Sequence, residues 1–248
     1  MKQTIFQYTF IIISLFLCNS IVAQNVDLLP ISTTGQIIKH KYYNLSYSPQ
    51  NKQAEWVFYL LTKANSSGGV KRKNNFRPDP LVSTGSASLD DYKNSGYDKG
   101  HLCPAGDMSF DSQAMSETFY LSNMSPQFPS FNRGIWKKLE DLVRKWAIDE
   151  DSLYIVTGPI FINNRGSIGP NKVTIPGFYY KVIYDPTGNK KMIGFIIPNE
   201  KGSSKVLSDY TISVDSIEKV TKIDFFHNLP DSLKLRLERG IDLKLWQF

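Results

Sequence analysis

Eleven consecutive residues, Tyr97-Asp98-Lys99-Gly100-His101-Leu102-Cys103-Pro104-Ala105-Gly106-Asp107, bring a carboxylate, a cation, a glycine and a histidine into direct succession. Histidine is the side chain whose ordinary pKa lies closest to neutrality, so His101 is suited to take a proton from water at working pH. Lys99 is placed to face an anionic oxygen, and Gly100 permits a tight backbone turn between the two. Histidines occur only at positions 40, 101 and 227, with no two one helical turn apart, so a histidine-based zinc site is not expected. A metal would have to be held by oxygen from Asn, Asp, Glu and water, which suits magnesium or manganese. A base, a cation and an oxygen-held metal together meet the needs of phosphodiester hydrolysis: proton abstraction from water, offset of charge on the phosphate, and a stabilised leaving oxygen. A histidine in a polar turn is, taken alone, more often structural.

These residues need a frame. Polar and aromatic or aliphatic residues alternate from Ile38 to Tyr47 and predict a strand, followed by a turn at Ser48-Pro49-Gln50-Asn51 and a second, more apolar strand over Glu55–Leu61 that reads as buried on both faces. From Asn65 to Lys93 the chain is polar and irregular, with Lys71-Arg72-Lys73 in its middle: either a solvated loop or one wall of a phosphate-binding groove. Asp111–Phe119 has weak helical character, and Tyr120–Met124 reads as a short strand. The clearest helix is Arg133–Ala147, where Ile135, Trp136, Leu139, Leu142, Val143 and Trp146 form one apolar stripe. Arg133, Lys137, Glu140 and Arg144 fall on its adjoining polar flank. Asn132 stands at its start, where the side chain either caps the helix or serves another purpose. A buried strand over Leu153–Thr157 is expected to end at Gly158-Pro159. Phe178–Tyr184 and Lys191–Ile197 form a hairpin, and short helices follow at Val214–Val220, with Asp215 as its cap, and at Asp231–Arg239.

The stretch Asp98-Lys99-Gly100-His101-Leu102, with Pro104-Ala105 and Asp107, closely resembles the signature of the DNA/RNA non-specific endonucleases. These belong to the ββα-metal superfamily, which includes endonuclease G and secreted bacterial nucleases. The resemblance continues in order through Leu121-Ser122-Asn123-Met124-Ser125-Pro126-Gln127, Asn132, Trp136, Leu139-Glu140 and Arg144. Thr157-Gly158-Pro159, Val173-Thr174-Ile175-Pro176, Pro198-Asn199, Ser213–Glu218 and Asp224-Phe225-Phe226 extend it over roughly residues 40 to 240. It implies an α+β fold with a central antiparallel sheet flanked by helices and a ββα-metal active-site element. It implies His101 as general base, Asn132 as direct ligand of a single hydrated magnesium, with manganese an alternative, and Glu140 as holder of the metal's water. Arg144 would then contact phosphate, Lys99 with Asp98 would complete the motif, and Asn123 would orient the loop. The bland readings are a helix cap for Asn132 and a surface ion pair for Glu140 with Arg144. The implied activity is metal-assisted hydrolysis of DNA and RNA without sequence preference, leaving 5′-phosphate ends. Lys99 departs from the family's usual arginine, which costs the planar, two-pronged fit to phosphate. That departure motivates an alternative, a catalytically impaired nucleic-acid-binding protein; a phosphodiesterase of the same fold on another substrate is a third reading.

Residues 1–23 have the pattern of a secretory signal peptide: Lys2 as the only charge, an apolar run from Phe10 to Leu17, and a small residue, Ala23, at the expected cleavage site. The run is shorter than the roughly 20 apolar residues a spanning helix needs. A secreted or periplasmic protein without stable membrane association is therefore expected. Cleavage removes Lys2 and no acidic residue, so the net charge falls from +6 to +5, a modest bias towards polyanionic partners. It also removes Cys18 and leaves Cys103 alone, so stability has to come from a packed core, in which Cys103 fills a small apolar space. No repeat or composition break divides residues 24–248, which read as a single nuclease domain. The sequence leaves open a homodimer and a dedicated inhibitor protein.

Overall fold

The computed structural model describes residues 28–31, 34–202 and 205–248; the leader segment expected over residues 1–23, with Cys18, lies outside the described residues. Strands β1 (Gln36–Lys39), β2 (Tyr43–Ser48) and β3 (Gln53–Thr62) open a large sheet. Helix α1 (Leu89–Tyr92) precedes β4 (Asp98–His101), and α2 (Ser112–Glu117) precedes β5 (Met124–Gln127). One turn of helix, α3 (Pro129–Phe131), runs through a π-helical turn at Asn132–Trp136 into α4 (Lys137–Asp149). Then come β6 (Ser152–Ile160), the short pair β7 (Ser167–Ile168) and β8 (Val173–Thr174), β9 (Phe178–Asp185), β10 (Lys191–Pro198), β11 (Thr211–Ile212), α5 (Val214–Thr221) and α6 (Asp231–Arg239). The main sheet has the order β1-β2-β3-β6-β9-β10-β11, with every neighbouring pair antiparallel. Helices cover both faces, as the α+β reading expects.

Strand alternation sends successive side chains to opposite faces, and two cores result. On one face Leu45, Tyr59, Ile155, Tyr179, Ile183 and Phe195 pack against the stripe of Trp136, Leu139, Val143 and Trp146. On the other, Trp56, Val156, Tyr180, Val182 and Met192 pack against Val214 and Ile217 of α5, Leu237 of α6 and the Phe225-Phe226 pair. The β4–β5 ribbon lies on the α4 side. It pairs Asp98 with Gln127, Lys99 with Pro126, Gly100 with Ser125 and His101 with Met124.

Several local expectations change. Ile38–Tyr47 is not one strand but two, folded back at His40–Tyr42, where the His40 amide donates to the Tyr43 carbonyl (2.9 Å). The His40 ring is held against Asp79 and between Tyr43 and Tyr120, a tertiary arrangement to which alternation is blind. Leu121–Asn123 is a tight 3-10 turn, and the strand read over Tyr120–Met124 begins only at Met124. The strand from Leu153 passes through Gly158-Pro159 to Ile160. A Cβ at Gly158 would lie 2.3 Å from the Glu55 carbonyl, so that glycine serves close packing and not termination. The cap of α5 is Ser213, whose side chain accepts from the Ser216 amide, not Asp215. Leu60, partly exposed, shows that β3 is not buried on both faces along its whole length.

Candidate active site

Gly100 sits in an extended strand and makes no turn. Its reason is space: a Cβ there would stand 2.1 Å from the Gln127 side chain, which is fully buried against it. The ribbon is thereby packed closely enough to present Lys99 and His101 at its outer end. Asn123 fixes the loop beyond β4: its carboxamide oxygen accepts from the Cys103 amide (2.9 Å), and its nitrogen donates to the carbonyls of Cys103 (3.0 Å) and Thr118 (2.9 Å). This buried clamp orients the loop without entering the cleft, and Cys103 fills core space beside it.

A cleft of about 330 Å³ is lined by Arg72, Lys99 and His101 on one side and by Asn132, Arg133, Lys137, Glu140 and Arg144 on the other, floored by Pro104-Ala105-Gly106. His101 is 8% exposed, edge-on to Phe119 at 5.0 Å between ring centroids, and its Nε2 is buried with no hydrogen-bond partner. Burial, helped by the Arg72 charge, lowers its pKa to about 3, so the imidazole is neutral across the working range. The Lys99 ammonium lies 4.9 Å over the face of Phe76.

Asn132 does not cap α4: its backbone is helical (φ −56°, ψ −50°) at the end of α3, ahead of the kink at Gly134 in the π-helical turn. Its Nδ2 donates to Asp98 Oδ2 (2.9 Å), which fixes the carboxamide and leaves Oδ1 as a free acceptor. Arg133 braces the same carboxylate through two hydrogen bonds, 2.7 and 2.9 Å. Gly134, with φ −106° and ψ −109°, breaks the regular path inside that turn, an irregularity common at functional sites.

Glu140 forms no ion pair with Arg144. The Arg144 guanidinium is taken by Asp107, 2.5 Å from its Oδ1, and by Asp141. Asp107 is 1% exposed, and its second oxygen accepts from the Tyr59 hydroxyl (2.8 Å). Burial raises the Asp107 carboxyl, with Arg144 pulling against that rise. Burial likewise raises Glu140 to about 8, with Lys181 as the strongest opposing charge. Arg72 is the residue of the Lys71-Arg72-Lys73 run that reaches the cleft; its guanidinium stacks over Phe119 at 4.9 Å. Composition alone did not separate it from its neighbours, although Phe76 and Phe119 are the aromatics against which a cation there could be held.

The oxygen donors in this arrangement fit a hard divalent cation: a carboxamide oxygen oriented by its own nitrogen, and a carboxylate that burial leaves short of countercharge. Beside them stand a neutral imidazole and the cations Lys99 and Arg72, the complement of a phosphodiester undergoing attack by water.

Comparison with known proteins agrees with this chemistry. A family model described as DNA/RNA non-specific endonuclease matches residues 26–232. Nuclease C1 of Cunninghamella echinulata is 36% identical over 214 residues, covering 79% of this chain and 85% of that protein. The human mitochondrial nuclease EXOG is 33% identical over 216 residues, 80% of this chain but 59% of its own length. Among solved structures, a chain from the crystal structure of the EndoG/EndoGI complex superposes with a TM-score of 0.75 at 30% identity, covering 81% of this chain and 89% of that one.

Proposed function

The chain belongs to the DNA/RNA non-specific endonuclease family, and from that premise we propose that it is a sugar-nonspecific endonuclease using one divalent cation and His101 as general base. The observation that carries the reading is the meeting of His101 and Asn132, distant in sequence, in one cleft with Lys99, Glu140 and Arg144. In this reading His101 takes a proton from a water molecule as the water oxygen bonds to phosphorus. The bond from phosphorus to the 3′ oxygen breaks, and the phosphate stays on the 5′ side. Lys99 and Arg72 offset charge on the phosphate; Arg144 adds to the field from behind its carboxylates. Asn132 and, through solvent, Glu140 are the donors that would hold the cation, magnesium or manganese. When bound, it supplies Lewis-acid stabilisation of charge on the phosphate and leaving oxygen. Asp98 and Asn123 act by holding Asn132 and the loop in place. Residues 24–248 act as one domain, and the amino-terminal apolar run supports a secreted or periplasmic location.

The test is degradation of matched single- and double-stranded DNA and RNA with magnesium, manganese or EDTA. Cleavage that persists in EDTA overturns the metal role; salt-sensitive binding without cleavage under any divalent ion favours the impaired-binder reading.

Two further outcomes are expected. Lys99→Arg should raise kcat/KM severalfold, because a planar guanidinium both stacks better on Phe76 and bridges two phosphate oxygens; an unchanged or slower enzyme would show that lysine suits this cleft. Secondly, because burial pushes the Glu140 carboxyl up to about 8, an arriving cation has to displace protons from it near neutral pH. Magnesium binding should therefore strengthen as pH rises towards 8 and release a proton. Calorimetry in two buffers of different ionisation enthalpy measures that release, and buffer-independent heats would refute it.

A further inference from the structure

Lysine is rarely found at the centre of a sheet covered on both faces, because its ammonium loses water there. Lys181 is such a residue: fully buried in β9, flanked by Thr157 of β6 and Phe195 of β10. Strand alternation places it between Tyr179 and Ile183 on the face that packs against α4. Its Nζ has no hydrogen-bond partner and lies 5.0 Å over the ring of Trp136. Trp136 closes the π-helical turn that Asn132 opens, so this ammonium sits beneath the backbone that carries the oxygen donor.

Glu140 lies one helical turn beyond Trp136, on the same side of the helix that covers this ammonium. Burial lowers the Lys181 pKa; the Glu140 charge opposes that most, then Asp107 and Cys103, while Arg144 adds to it. Asp107 already has Arg144 and Tyr59, whereas Glu140 makes no direct ion pair among the described residues. Lys181 is also the strongest charge acting in favour of the Glu140 carboxylate.

We infer that Lys181 is a positioning residue, the buried countercharge that fixes the Glu140 carboxylate behind the cation side of the cleft. This rests on the reading of Asn132 and Glu140 as the metal-holding side, but not on cleavage. A purely structural lysine would be replaceable here by an apolar side chain of similar length with no effect on the metal. Replacing both members of a buried charge pair by uncharged residues is often neutral to the fold, whereas removing one strands the other.

The experiment is manganese binding, read by calorimetry without substrate, in the full chain, in Lys181→Met, in Glu140→Gln and in the double variant. Lys181→Met should weaken binding by about 10- to 100-fold, as loss of an outer support does at other metal sites, with circular dichroism unchanged. In the Glu140→Gln background the same substitution should do nothing further, because its partner is gone. An unchanged binding constant in folded Lys181→Met, or an equal loss in both backgrounds, overturns the inference. Should Lys181→Met not fold, Lys181→Gln is read in its place, and unchanged manganese binding by the folded Lys181→Gln chain overturns the inference. A protein that binds manganese in this Lys181-dependent way but cuts no nucleic acid would sink the endonuclease reading and leave the role of Lys181 standing.

Discussion

His101→Ala is expected to lower kcat on plasmid DNA and on RNA by about 10²- to 10⁴-fold, the range that a general base supplies. The fold should survive, for reasons visible in the packing. The ring touches Phe119 and Phe76 at the mouth of the cleft, and its Nε2 has no hydrogen-bond partner, so truncation strands no buried donor or acceptor. The cost is the small cavity left beside two aromatic rings, which the open side of the cleft allows water to fill. Burial lowers the His101 pKa to about 3, so lowering the pH from 8 to 5 leaves the base unprotonated. The acid limb of the rate profile should accordingly follow the metal side and Glu140, and it should stay where it is in the residual activity of His101→Ala. Added imidazole, small enough for the vacated space, should restore part of the rate. Undiminished cleavage by a folded His101→Ala would remove the histidine from the mechanism.

What could be read from the sequence was what periodicity and short-range spacing encode. The stripe from Ile135 to Trp146 faces the sheet as expected, and Lys99 and His101 of the motif share one cleft with Asn132, Glu140 and Arg144, while Asp98, Asp107 and Asn123 hold those residues and the loop from outside its lining. What could not be read depends on contacts made across the chain. His40–Tyr42 turns without glycine or proline because Asp79, Tyr43 and Tyr120 hold the histidine ring. Gly100 reads in sequence as a turn residue, and only the approach of Gln127 shows that it is chosen for the lack of a Cβ. Lys181 lies in an apolar strand whose pattern gives no hint that its ammonium is buried over Trp136 without a hydrogen-bond partner. The partner of Arg144 is a further case: on the helix, Glu140 and Asp141 are its natural neighbours, but its main buried partner comes from the loop of the motif itself.

That last contact has a consequence for stability. Arg144→Met is expected to destabilise the protein by about 3 kcal/mol at neutral pH, at the lower end of the range for breaking a buried ion pair from one side. Asp107 would keep only the Tyr59 hydroxyl, and its carboxylate would be left charged with almost no access to water. The lower end is appropriate because Arg144 itself retains some exposure and methionine refills part of its volume. The loss should depend on pH in a definite direction. Burial already raises the Asp107 carboxyl, and removing Arg144 takes away the largest effect opposing that rise. A carboxyl raised in the folded state contributes stability below its unfolded pKa and loses it as pH rises through the folded one. The deficit of Arg144→Met should therefore be smallest at acid pH, where Asp107 takes a proton, and grow towards neutrality. Urea denaturation of both proteins between pH 5 and 8 measures it, and a deficit that is absent or independent of pH would refute the buried pair. The same variant separates two uses of one side chain. If Arg144 serves only to hold Asp107 and the loop, then Arg144→Met with Asp107→Asn, which removes the stranded charge, should recover both stability and rate. If Arg144 also acts on the phosphate, stability should return while kcat/KM stays low, because asparagine restores the loop but supplies no cation to the cleft.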